Sequence, residues 1–172
     1  MPGTCTYASA STFTMAGDQT TVLSKGDRLK LTQTTAKYFY VIGVSHSAGT
    51  TTVTVTGGTD YTLANAAITT PFYSKEASPN GFPTWFAFTV GFTGFSANPA
   101  GFLARFNIVG TTVNVALRGP NAGTSNATTF TITGAPVAAK AVTNFSWVGF
   151  MWGQNAGSTV MAFAVIDPST TT

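Results

Sequence analysis

Hydrophobic and polar residues alternate along much of the chain, with the period of two that is typical of strands with one buried face. In residues 28–31 two leucines alternate with an arginine and a lysine, and in 52–56 valines alternate with threonines. Residues 37–44 (KYFYVIGV) are apolar on both faces, which predicts a central strand. Residues 7–15 and 20–23 predict further strands. These five strands predict a small β-barrel or rolled sheet in the first half.

Two short segments of the first half depart from this alternation. Residues 63–68 (LANAAI) have helical character, which predicts one or two helical turns. Residues 45–49 (SHSAG) join two predicted strands and contain the only histidine, His46. We expect this segment to be a hairpin loop with His46 on the surface.

A change in composition divides the chain near its middle. Residues 75–83 contain two prolines and a glycine, which disfavour both helix and central strand and predict a linker. We therefore expect two domains, 1–74 and 84–172. The second is predicted to be an antiparallel β-sandwich, in which Val113, Val115 and Leu117 face inward. Its strands are predicted at residues 85–92, 103–109, 112–117, 129–133, 145–152 and 159–166.

The last two predicted strands are apolar on both faces, although a sandwich strand normally needs only one apolar face. In a small domain this pattern implies that the outer face is covered, and another copy of the chain is the simplest cover. The predicted oligomer interface comprises Phe145, Trp147, Val148, Phe150, Met151 and Trp152.

Composition and charge exclude several classes of protein. Only 8% of the residues are charged, the formal net charge is +3, and the basic residues form no dense patch, which disfavours a nucleic-acid partner. No apolar run reaches the ~20 residues that a membrane helix needs, so we expect no membrane insertion. The single cysteine, Cys5, excludes an internal disulfide and a cysteine-based zinc site.

Residues able to carry catalysis are few. Three of the five acidic residues, Asp18, Asp27 and Asp60, sit beside glycines or in turn sequences, where aspartate is favoured for local hydrogen bonds. The sequence contains no Gly-x-Ser-x-Gly nucleophile elbow that could act together with His46. We expect Cys5 to be a small, buried apolar residue. We therefore predict no enzyme activity and no catalytic, cofactor-binding or metal-ligating residues. The acidic residues are Asp18, Asp27, Asp60, Glu76 and Asp167.

Binding functions remain. Aromatic residues cluster around the predicted linker, where they form either a seam between the halves, which we favour, or a ligand groove. They are Tyr61, Phe72, Tyr73, Phe82, Trp85, Phe92 and Phe95. The polar loop at 121–126 is either a contact surface for glycans or partners or an ordinary solvated turn. Its candidate contact residues are Asn121, Thr124, Ser125 and Asn126.

Several strings in the chain are similar to those of a known group of proteins. TYASASTFTMAGDQT, KGDRLKLTQTTAKYFYVIGVS and TTVTVTGGTDYTLANAAI resemble a β-module of tailed-bacteriophage virion proteins. In the second half, FPTWFAFTVGFTGFS, GTSNATTFTITGAPVAAK and the tryptophan-rich final strands resemble the terminal domain of phage tail-fibre and related surface proteins.

This resemblance implies a homotrimeric component of the virion surface. Residues 1–74 would attach it to other virion proteins, and residues 84–172 would project and trimerise. Because the chain has no long shaft, a short tail fibre or spike fits better than a long fibre. Such a protein takes part in host recognition and meets a host surface glycan or protein. The alternative is a capsid decoration protein that stabilises the head; a third reading, a polysaccharide-degrading enzyme, would need paired acids.

Overall fold

The computed structural model describes residues 1, 3–119, 121–126, 130–138, 146–155 and 158–166. The described residues contain fifteen β-strands and no helix, and every strand pairing is antiparallel. The fold is therefore all-β, as the alternation predicts. The chain divides into two compact units, Met1–Pro136 and Val137–Thr172.

The first half folds into one six-stranded sheet that curls into a half-barrel, which confirms the predicted rolled sheet. The strand order is β1-β2-β5-β4-β3-β6, so the two-faced apolar strand β4 lies inside the sheet, as predicted. The strands are β1 (Cys5–Ser9), β2 (Thr12–Ala16), β3 (Arg28–Gln33), β4 (Thr35–Ser47), β5 (Thr50–Thr56) and β6 (Thr69–Ser74).

A hydrophobic core lies on one face of this sheet. Alternate residues of neighbouring strands supply it; for example, Phe13 pairs with Val53, and both are fully buried. Burial of such side chains is the main favourable term in folding. The buried core residues are Cys5, Phe13, Met15, Leu23, Leu29, Leu31, Phe39, Val41, Val53, Val55, Leu63 and Ile68.

The predicted helix at residues 63–68 is wrong. The Gln33 side chain, which is buried, donates from Nε2 to the carbonyl oxygens of Ala64 (2.8 Å) and Ala66 (3.0 Å). Its Oε1 accepts from the Ala64 amide at 2.9 Å. A side chain distant in sequence thus binds the backbone of this segment in a non-helical conformation.

Three boundaries in the first half also differ from the prediction. Residues 7–15, predicted as one strand, belong to two strands, β1 and β2, joined by a turn at residues 10 and 11. Residues 20–23 form turns rather than a strand, and Leu23 alone among them is buried in the core. His46 is exposed but lies within β4, because the hairpin turn is only two residues long, Ala48 and Gly49. Both have positive φ (49° and 76°), the backbone that a two-residue hairpin turn requires.

The second half of the Met1–Pro136 unit consists of short antiparallel strands in small sheets. One has the order β11-β10-β7, and the others pair β12 with β9 and β13 with β8. The strands predicted at 103–109 and 112–117 are confirmed. The bounds are β7 (Phe86–Ala87), β8 (Gly91–Thr93), β9 (Phe95–Ala97), β10 (Leu103–Val109), β11 (Thr112–Arg118), β12 (Thr124–Ser125) and β13 (Thr131–Thr133).

The Val137–Thr172 unit contains one long antiparallel pair, β14 (Ser146–Asn155) and β15 (Ser158–Ile166). The register shifts once, between Trp147 and Gly149, which marks a β-bulge. Both strands were predicted, within a few residues of these bounds. Phe145 and Asp167 lie outside the described residues.

Residues 75–83, the predicted linker, lie inside the Met1–Pro136 unit. Phe82 packs its ring against Tyr40 at 5.2 Å between centroids, and the carbonyl of Ala77 accepts a hydrogen bond from Arg28. The division into domains 1–74 and 84–172 stays a prediction.

Candidate functional site

An aromatic seam joins the six-stranded sheet to the segments that follow it. Phe86 and Phe106 are fully buried, and their ring centroids lie 5.3 Å and 6.2 Å from that of Tyr40. Tyr61 meets Phe86 edge to face at 6.0 Å. Such offset and edge-on ring pairs add to the free energy of area burial alone. Of the seven aromatic residues predicted to form the seam, only Tyr61 and Phe82 lie in this cluster. Phe92 and Phe95 pack against each other at 5.8 Å, and the other three are exposed: Phe72, Tyr73 and Trp85.

Arg28 lies buried in this seam, although the alternation of β3 predicts a solvated residue there. Only 3% of its surface is exposed. Nη1 donates to the carbonyl oxygen of Gly26 at 2.9 Å, and Nη2 donates to those of Ala77 and Ile108, each at 2.7 Å. Its guanidinium carbon lies 5.5 Å from the centre of the Tyr40 ring. The prediction is wrong because the second half covers this face of β3.

The contacts of Arg28 are structural. Carbonyl dipoles and an aromatic face stabilise its charge, which fits a guanidinium better than an ammonium because the planar fork serves three acceptors and a ring together. Nε is buried without a hydrogen-bond partner in the described part of the chain. The three carbonyls belong to segments near residues 26, 77 and 108, so one side chain links the first sheet, the predicted linker and β10.

A small depression lies beside this arginine, with a volume of about 70 Å³. Sites for small molecules are typically several hundred Å³, whereas this one has room for about two water molecules. Its size therefore suits hydration of the seam rather than a metabolite. It is lined by Tyr40, Ala77, Ser78, Phe82, Pro83, Thr84, Asn107, Ile108 and Val109.

Three of the acidic residues accept hydrogen bonds from backbone amides. Asp27 accepts from the amide of Ser24 at 2.9 Å, and Asp60 accepts from that of Ala87 at 2.8 Å. Asp18 accepts from Thr20 twice, from the hydroxyl at 2.7 Å and from the amide at 2.9 Å. These two bonds, the hydroxyl first, lower the pKa of Asp18. The predicted local role is confirmed for Asp18 and Asp27, but for Asp60 it is wrong, because Asp60 binds the amide of Ala87, which is 27 residues away along the chain.

The other candidates for chemistry also have structural surroundings. Nδ1 of His46 lies 3.3 Å from the hydroxyl of Thr51, which donates to the carbonyl of Gly17. Cys5 is buried, as predicted, and burial raises the pKa of its thiol to about 11. Within the described residues, no three histidine, cysteine or acidic side chains are grouped to hold a metal ion. No helix in the described part of the chain is long and apolar enough to cross a membrane.

The predicted contact loop is exposed but well anchored. Thr124 and Ser125 form β12, which pairs with β9, and the amide of Asn126 donates to the carbonyl of Gly94 at 3.1 Å. The Asn121 side chain donates to the carbonyl of Ala100 at 3.0 Å. All four candidate residues are exposed. The structure therefore presents an ordered polar strip; its role in contact stays a prediction.

The predicted oligomer interface falls on β14, whose backbone places its residues at known register positions. Trp147 lies opposite Val165, Phe150 opposite Phe163, and Trp152 opposite Met161. Met161 is 65% exposed. The interface itself stays a prediction.

The β10–β11 hairpin presents a surface that the sequence did not predict. Phe106 pairs with Val115 and Ala104 with Leu117, so the four side chains share one face. On β10 this face is buried, whereas Val115 is 48% and Leu117 39% exposed. Val115 and Leu117 therefore lie on the predicted face, but they are not buried as predicted. The reason is that β11 is a sheet edge with no described strand beyond it.

Searches against protein-family models, curated proteins and solved structures found no match to this chain. The site must therefore be interpreted from its own geometry. An apolar stripe beside an unpaired strand edge can bind another polypeptide through main-chain hydrogen bonds and side-chain packing together.

Proposed function

We propose that this chain is a non-enzymatic structural protein of the bacteriophage virion surface. In the first form of the proposal it is a short tail fibre or spike that takes part in host recognition. The observation that carries the assembly role is the open edge of β11, with Val115 and Leu117 half exposed on the face that buries Phe106. The phage assignment rests on the resemblance of the sequence strings quoted above.

The long hairpin of the second unit supports an assembly role independently. An isolated two-stranded hairpin is at best marginally stable in water, and it needs further strands or a packing surface. The apolar residues of β14 occupy both alternating sets along the strand. We therefore propose that copies of the chain associate through this hairpin as a homotrimer, with Trp147, Phe150 and Trp152 contributing.

Light scattering on the purified protein tests this trimer. Trp152→Asp would place a charge in a desolvated contact, which is strongly unfavourable, so we expect the trimer to dissociate. A parent protein that is monomeric would overturn the trimer. So would a Trp152→Asp protein that remains trimeric with unchanged stability.

If the protein takes part in host recognition, its contact surface for the host is the exposed polar strip, which comprises Asn121, Thr124, Ser125 and Asn126. Its anchored backbone would hold exposed amide and hydroxyl groups in a fixed arrangement, which suits recognition of a glycan or a host protein. Asn126→Ala tests this role, and Asn65→Ala, at another exposed asparagine, is the matched control. We expect the first variant, and not the second, to reduce adsorption of particles to host cells.

A second candidate is a capsid decoration protein, and the same open edge also supports this reading. A half-covered apolar stripe suits attachment to a broad protein surface, and no host contact would be needed. In that case Asn126→Ala would leave adsorption unchanged, and removal of the protein would lower the stability of the head.

Immunogold electron microscopy of intact particles with an antibody against this chain separates the two candidates. We expect label at the tail or its tip, which would support host attachment. Label spread over the head would contradict the tail-fibre role and support the role of a capsid decoration protein. Particles without label would overturn the virion-surface role altogether.

A further inference from the structure

We infer that β11 is a self-association edge, at which a second copy of this chain pairs antiparallel about a two-fold axis through Val115. The inference rests on β11 in the Met1–Pro136 unit and requires neither the virion role nor contacts of residues 137–172. Its occupant is a second β11 because the strand is complementary to itself in register, face and charge.

Among the described strands none pairs with the outer edge of β11, and this edge lacks the features that usually block strand addition. Its seven residues, TVNVALR, contain no proline and no lysine, and the β10–β11 register runs without a bulge from Leu103–Arg118 to Val109–Thr112. The edges of the six-stranded sheet differ: β6 contains Pro71, and the pairings of both β1 and β6 have a register shift. Prolines and bulges are common protections of exposed edges, and β11 has neither.

Self-pairing about Val115 matches the apolar residues. Val115 then lies opposite its own copy, and Val113 lies opposite Leu117 of the other copy, so three apolar pairs form on one face. A shift of one residue would place valines opposite asparagine, alanine or arginine and turn the partner's apolar residues to the other face. A shift of two residues would leave one apolar residue of each copy unmatched.

Charge is compatible with the same register. Arg118 of each copy lies opposite Thr112 of the other, so the two arginines are six residues out of register, roughly 20 Å apart at the usual rise per residue. Arg105 and Arg118 lie on the opposite face from Val115. No like charges therefore meet across the strand pair, and unpaired amide and carbonyl groups of both edges become paired.

Cysteine cross-linking tests the two-fold axis. Under mild oxidation at pH 8 we expect Val115→Cys to form a disulfide-linked dimer, because residue 115 faces its own copy. Thr112→Cys is the matched control: its two copies would lie far beyond the Cα separation of about 4.4–6.8 Å that a disulfide spans. A mixture of Thr112→Cys and Arg118→Cys proteins should cross-link to each other. The parent is the blank, because its buried Cys5 has a pKa of about 11.

Sedimentation analysis of charge variants supplies the second test. Val115→Lys should weaken self-association by about tenfold or more, as expected at the centre of an interface. Asn114→Lys adds the same charge to the same strand on the other face, opposite Ala116 of the other copy, and it should weaken association much less. The half-exposed Val115 should tolerate lysine in the monomer, which circular dichroism can check.

Two outcomes would overturn the inference. One is a protein with an accessible Val115→Cys thiol that stays uncross-linked while the chain is monomeric at high concentration. The other is a monomer in which that thiol resists labelling, since residues 137–172 of the same chain would then be the occupant. Trp152→Asp separates this contact from the proposed trimer, because the Val115→Cys cross-link should persist in its presence.

Discussion

The six-stranded sheet and the β10–β11 hairpin have the same alternating sequence pattern but differ in how it is covered. In the sheet, Phe13 of β2 and Val53 of β5 lie opposite each other and are both fully buried. In the hairpin, Phe106 is fully buried, whereas its partner Val115 is 48% exposed. The difference shows that alternation determines which residues share a face, while the position of a strand in its sheet determines whether that face is covered.

The largest expected effect contrasts the two members of one cross-strand pair. Phe106→Ala should lower the free energy of unfolding by about 3–5 kcal/mol, because it leaves a cavity among Tyr40, Phe86 and Phe88. Val115→Ala should cost roughly 1 kcal/mol or less when the chain is monomeric. Urea denaturation at low protein concentration measures both, and equal losses would contradict the contrast.

The buried arginine provides the next contrast. Arg28→Met leaves three carbonyl oxygens without their donor, but it also removes a buried charge and its desolvation cost, so we expect a net loss of about 3 kcal/mol. Arg118→Met makes the same change at an exposed position and should stay within about 0.5 kcal/mol. Thermal or urea unfolding of the two variants compares them. An Arg28→Met protein as stable as the parent would show that the three segments pack without this link.

Two glycines with positive φ, Gly58 and Gly49, differ in the space around them. Gly58 has φ of 61°, and a Cβ there would collide with the carbonyl of Ala87. Gly49 has φ of 76° but faces open space. Gly49→Ala should therefore cost only the backbone strain, about 1–2 kcal/mol, and Gly58→Ala roughly 1–3 kcal/mol more. If urea denaturation gives the two variants the same stability, the close approach at Gly58 is not a constraint.

The smallest effect concerns pH and the buried thiol. Because burial raises the pKa of Cys5 from 9.0 to about 11, its contribution to stability is complete below pH 9 and is lost as the pH rises towards 11. We expect this loss to be about 1–2 kcal/mol. Cys5→Ala removes the titration but leaves lysines and tyrosines unchanged. Urea denaturation at several pH values between 8 and 11 gives the free energy of unfolding of both proteins. It should fall more steeply with pH in the parent than in Cys5→Ala, and an equal pH dependence would contradict the raised pKa of Cys5.

Much of the fold follows from local patterns in the sequence. Alternation predicted β10 to its terminal residues, and the apolar run at 37–44 predicted an interior strand. The missed features depend on distant residues. The segment 63–68 is not helical because Gln33 binds its backbone, and Arg28 is buried because Ala77 and Ile108 approach it.

The candidate site shows the same limit. Residues 121–126 were predicted as a polar loop, and they are exposed, but their pairing with β9 depends on residues 94–100. The open edge of β11 was missed because its sequence looks like that of a covered strand. Nothing in TVNVALR distinguishes an edge from an interior strand, since that depends on how many strands the sheet contains.

Amide hydrogen exchange at several protein concentrations tests the central claim. The claim is that the core face of the six-stranded sheet is covered by the same chain, whereas the β11 edge is covered by a second copy. Amides of β2 and β5 should be protected equally at all concentrations. Amides of β11 that point away from β10 should gain protection as the concentration rises, and Val115→Lys should abolish that gain. Exchange in β11 that does not depend on concentration would contradict the claim.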